Sequence, residues 1–239
     1  MLVRRIPITT LDTSAPQGST PATIIATRLS AQDPNFAWVA CSDGQVYHVD
    51  WTQSTEAPTS FKTASGTAKA MAVISAQRQG KGEDIILVVE SDKEHRMEVV
   101  AYQGKTGTTT ASKSLLALKK YGAGLQLLEA STDGQVLVGA FHDRLFLGVA
   151  SQPGTGKLED LQYEFYSFDI PDLITSLSLR VHKKSNSRKA QTGFDKAVDV
   201  VAGGARGAIY AYCDVLSRLQ AAGKSQAAKD GVQVQRLHW

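Results

Sequence analysis

Three glycine-rich stretches and one run of cations are the features of this sequence whose residue types could bind phosphate. Gly104-Lys105-Thr106 ends like a nucleotide-binding loop, but Val99 stands where the first glycine is required and no strand–loop–helix pattern surrounds it. Gly154-Thr155-Gly156-Lys157 is followed by Leu158, so no hydroxyl is placed for a magnesium ion. Gly203-Gly204-Ala205-Arg206-Gly207 lies between two strand patterns, which leaves no helix N-terminus to meet an anion. All three read as turn glycines. The histidines (His48, His95, His142, His182 and His238) are scattered, without a second ligand at metal spacing, and neither Cys41 nor Cys213 has a C-x-x-C partner. No G-x-S-x-G is present, and Asp43, Asp133 and Asp143 are turn residues first. The expectation is a protein that is not an enzyme, with no catalytic residues, no cofactor and no metal.

The cation run is different. Arg180 to Lys189, RVHKKSNSRK, carries Arg180, Lys183, Lys184, Arg188 and Lys189 with no acid. Such a run suits phosphate contact or nuclear import, and equally a solvated loop. Four of these charges on single-stranded RNA would give a salt slope of about −3, enough to assist binding but not to sustain it alone. The net charge of +3 permits nucleic-acid contact without demanding it.

The elements that position these residues are strands. FAWVACSDGQVYHVDW, Phe36 to Trp51, has two arms of β-branched and aromatic residues about Ser42-Asp43-Gly44, where Asp-Gly suits the positive φ of a tight hairpin. The pattern recurs. Turns at positions 43, 93, 143 and 206 each separate two apolar strands, a period of about 50 residues with a longer last step. The extra length falls in the polar loop His182 to Lys196. Several short strands per unit at this period predict an all-β propeller, with four-stranded blades near residues 22–64, 68–118, 123–169 and 173–239. VLSRLQAAGKSQAAKD predicts a short helical insertion in the last blade, and residues 2–9 are an orphan strand. Four blades plus a spare strand, with a terminus directly after a strand, predict part of a larger ring of about seven blades, because closure removes sheet edges. No apolar run approaches the roughly 20 residues of a membrane helix, and the first residues lack the apolar core of a signal peptide. No membrane and no small-molecule substrate are expected. Two strand-borne cysteines suit a reducing compartment.

The S-D-G hairpin and the period resemble WD-repeat propellers, although Val49 and Tyr212 stand where the repeat has tryptophan. More narrowly, three stretches resemble the Nan-type WD-repeat subunit of the UtpA (t-UTP) subcomplex of the small-subunit processome. They are ATRLSAQDPNFAWVACSDGQVYHVDW, DLITSLSLRV with its basic loop, and DVVAGGARGAIYAYCDVL leading to VQRLHW. That resemblance implies a nucleolar scaffold whose partners are other UtpA subunits and the 5′ external transcribed spacer of pre-ribosomal RNA. It implies a part in early 18S rRNA maturation and polymerase I transcription. The competing expectation is a WD-repeat adaptor of trafficking or ubiquitin ligation, which would bind a peptide at the central channel and ignore RNA. A propeller enzyme would need converging groups on its inner strands, where only Arg28, Lys69 and Glu129 are supplied.

Overall fold

Alternating apolar residues between short turns make strands wherever the sequence carries that pattern, and sixteen are found among the described residues. The computed structural model describes residues 22–52, 58–63, 66–76, 82–91, 96–104, 111–119, 126–141, 144–151, 158, 161–170, 172–183, 196–221 and 235–237. The spare strand expected at residues 2–9 lies outside them. The protein is all-β and forms four antiparallel four-stranded sheets, each built from four strands consecutive in sequence.

The chain divides into two units, the first Met1–Ser75 with Gly80–Leu118, the second Ala76–Gln79 with Lys119–Trp239. In the first unit, β1 (Ile24–Leu29), β2 (Phe36–Cys41), β3 (Gln45–Asp50) and β4 (Thr59–Lys62) make one sheet. The other is β5 (Thr67–Ala76), β6 (Gly82–Ser91), β7 (Arg96–Gln103) and β8 (Ser112–Lys119). Trp38, Ala40, Val46 and Phe61 of the first sheet pack on Ala68, Met71, Ile85, Leu87 and Val89 of the second. At the edge of this apolar seam the buried Glu83 carboxylate accepts from the Trp38 indole Nε1 at 2.7 Å, the Ser30 hydroxyl at 2.8 Å and the Gln32 amide at 2.9 Å. A buried carboxylate is tolerated because its lone pairs are filled.

The β2–β3 hairpin corrects one expectation in detail. Gly44 alone has positive φ, +82°, and Asp43 instead accepts the Gln45 N–H on its side chain at 3.0 Å. With Ala40 opposite Val46, the connection is a longer turn closed by a left-handed glycine, not a two-residue loop with both centres left-handed.

His48 on β3 is stacked on Phe36, with ring centroids 4.6 Å apart, and meets Trp38 at 4.4 Å with the rings tilted by 35°. Burial pushes its imidazole below the ordinary value of 6.5, against the opposing pull of Glu83, Asp33 and Asp50. Because the folded value is depressed, the unfolded chain takes up the proton first as pH falls. The stability His48 contributes is complete above 6.5 and is lost as pH drops through its native value. Urea midpoints between pH 7 and 5 should therefore fall less steeply in His48→Gln than in the parent. Parallel profiles would remove His48 as a source of acid sensitivity.

In the second unit, β9 (Gln126–Ala130), β10 (Val136–Phe141), β11 (Arg144–Ala150) and β12 (Tyr163–Asp169) form the third sheet. β13 (Ile174–Lys183), β14 (Lys196–Gly204), β15 (Ile209–Tyr212) and β16 (Gln235–Leu237) form the fourth. Helix α1 (Val215–Ala221) lies between β15 and β16 in the chain. The seam between these sheets joins Val136, Val138, Leu145 and Leu147 to Val198, Val200, Tyr210 and Tyr212, with α1 adding Val215 and Leu216.

The stretch Gly203 to Gly207 serves the β14–β15 turn. Gly207 has φ +78°, and a Cβ on Gly204 would lie 2.3 Å from Asp172 Oδ2. The buried Asp172 accepts from the Leu173 amide at 2.8 Å, Arg206 Nε at 3.3 Å and the Tyr210 hydroxyl at 3.3 Å, pinning the start of β13 to that turn.

Candidate nucleic-acid interface

The cation run begins on β13 and continues into residues 184–195. Lys184, Arg188 and Lys189 lie outside the described residues, while Arg180 and Lys183 are exposed strand residues. Antiparallel pairing decides where these two go. Residues directly opposite each other share a face, and successive residues alternate. Arg180 is opposite Asp199 and Lys183 is opposite Lys196. The rungs that alternate with Arg180–Asp199 are Leu177–Ala202, Leu179–Val200 and Val181–Val198, which form the seam with the third sheet. The Lys183–Lys196 rung continues that seam face, and Arg180 stands on the other face beside Ser176, Ser178 and His182. The run is therefore split between the two faces of the sheet.

On the Arg180 face, Asp199 Oδ2 lies 3.5 Å from His182 Nδ1, and Asp199 Oδ1 accepts the Asp214 amide at 2.9 Å. Asp214 has φ +45° and its carbonyl accepts the Arg218 amide, so this carboxylate also orients the start of α1.

On the other face, Lys196 reaches across to the third sheet. Its ammonium donates to Asp133 Oδ2 at 2.5 Å and to Gln135 Oε1 at 2.9 Å. Asp133 is held by the Ser131 hydroxyl at 2.7 Å and the Gln135 amide at 3.1 Å. Burial alone would raise the Asp133 carboxyl. The bonds from Lys196, Ser131 and the Gln135 amide, with the Lys196 charge, outweigh it and hold the group below its usual 3.8. Sequence reading missed Lys196 as part of the basic surface. Its only local signal was that it closes the polar loop.

The charged residues expected on the first strand of each sheet are engaged individually. Lys69 pairs with Glu90 at 2.9 Å, and Arg28 donates to the Thr27 carbonyl at 3.3 Å. Among the described residues no group of three or more His, Cys, Asp or Glu could hold a metal ion, and no helix is long and apolar enough to cross a membrane. Compared with protein-family models and with curated proteins, the sequence matches none.

Proposed function

We propose that the chain is part of a larger WD-repeat-type β-propeller of about seven blades, acting as a non-enzymatic scaffold of ribosome biogenesis. The observation that carries this reading is the succession of four antiparallel four-stranded sheets, each of consecutive strands, with two uncharged rungs on the face of the first sheet away from β5–β8. On that face Leu29, Ala37 and Val49 form one rung, and Thr27, Val39, Tyr47 and Ser60 the next. These rungs carry no charge, and Leu29 is 63% exposed. A pair of uncharged rungs of this kind, bordered by Lys62 opposite Gln45, suits burial against a further sheet. Its opposite face already packs that way on β5–β8.

The place of action rests on the resemblance of the three stretches to the UtpA-type subunit, and on the cations at the β13–β14 connection. The scaffold would act in the nucleolus, joining other UtpA subunits and processome proteins on the 5′ external transcribed spacer of pre-ribosomal RNA. It would support early 18S rRNA maturation and polymerase I transcription. The test is affinity purification of the full-length protein from nuclear extract, with protein and RNA both identified. Processome subunits together with 5′ spacer RNA are the expected recovery. Coat or ubiquitin-ligase components in their place would overturn this reading in favour of an adaptor.

A further inference from the structure

The geometry points to the Lys183–Lys196 rung as a phosphate-binding step for single-stranded RNA, with Asp133 as its built-in competitor. The inference rests on the RNA-associated reading above and joins Lys183 of the cation run to Lys196, which the run did not include.

Two lysines directly opposite in an antiparallel pair have Cβ atoms about 5 Å apart, and like charges so placed repel. A sheet tolerates such a rung where an anion sits against it. Here the anion is supplied from within the chain, and only to one member. Lys196 spends two donors on Asp133 and Gln135 and keeps a third. Its side chain is 28% exposed, so water reaches it. Lys183 is exposed, with no ion-pair partner among the described residues. A phosphate oxygen bridging the two ammoniums would relieve the repulsion that Asp133 relieves by half. Asp133 is fixed by Ser131 and the Gln135 amide and cannot swing away, so it lowers the affinity of the step permanently instead of gating it.

The test uses the full chain and a single-stranded oligouridylate, with binding measured across 50 to 200 mM salt. Each phosphate contact on a single strand adds about 0.7 to the slope of log affinity against log salt. Lys183→Gln and Lys196→Gln should each make the slope shallower by about 0.7. Asp133→Asn, which keeps a hydrogen-bond acceptor for Lys196 but removes the charge, should tighten binding at every salt concentration. Lys62→Gln removes an exposed lysine from the first sheet and should change nothing.

A rung that is merely an inter-sheet clasp would lower melting temperature in Lys196→Gln and Asp133→Asn without moving the slopes, and that result overturns the inference. Failure of the wider reading shows elsewhere, as purification without processome RNA while the variant slopes still differ. Absence of any salt-dependent binding by the parent chain overturns the inference and leaves the scaffold reading to the purification.

Discussion

Trp38→Ala should destabilise the protein by about 4 kcal/mol, the cost of removing a fully buried indole from a packed core. Trp38 is 2% exposed, lies between Phe61 and His48, and forms part of the seam between the first two sheets. Its loss also strips Glu83 of one of three donors while the carboxylate stays buried. Trp38→Phe separates the two effects, because it keeps most of the apolar contact and removes only the N–H. That variant should lose about 1–3 kcal/mol, the cost of an unfilled buried acceptor. Urea unfolding followed by circular dichroism reads both losses as midpoint shifts. A shift in Trp38→Ala no larger than in Trp38→Phe would mean that the indole ring does not hold the seam.

The second large effect is expected at Gly139. A Cβ added there would lie 2.0 Å from the ring of Phe146, the residue opposite it on β11. Phe146 is itself 3% exposed and packs against Phe165, whose ring covers Gly148 in the same way. The ring has nowhere to retreat without displacing the next one. Gly139→Val should therefore cost about 3 kcal/mol, at the upper end for overpacking, despite valine's preference for strands. The double variant Gly139→Val, Phe146→Ala should recover part of the loss, since it opens the space the new side chain needs. If Gly139→Val alone leaves the midpoint unchanged or raises it, the ring does not lie over that glycine.

Local chemistry made most of the strands legible. The arms on either side of Ser42-Asp43-Gly44 alternate apolar residues at a period of two, and a glycine able to take positive φ closes the turn between them. The same reasoning applies to Thr132-Asp133-Gly134, where Gly134 has φ +66° and its amide donates to Ser131. These signals lie within a few residues of one another, so they can be read without the rest of the chain. What the hairpin reading lacked was the backbone state of Asp43. A side-chain bond to Gln45 competes with the left-handed conformation there, and sequence alone does not choose between them.

The basic surface was legible only as composition. Five cations without an acid identify a region of positive potential from Arg180 to Lys189. Strand alternation, once the register is set, puts Arg180 and Lys183 on opposite faces. Register depends on pairing with β14 across an intervening loop, and a shift of one residue would exchange the faces. Lys196 and Asp133 are 63 positions apart, and only the packing of the third sheet on the fourth brings ammonium to carboxylate.

That the chain forms a series of short antiparallel strands follows from residue order, because alternation and turn chemistry act over a few residues. The tertiary structure alone decided which charges meet and which remain open, because Coulomb interaction depends on distance in space and local sequence carries no record of it.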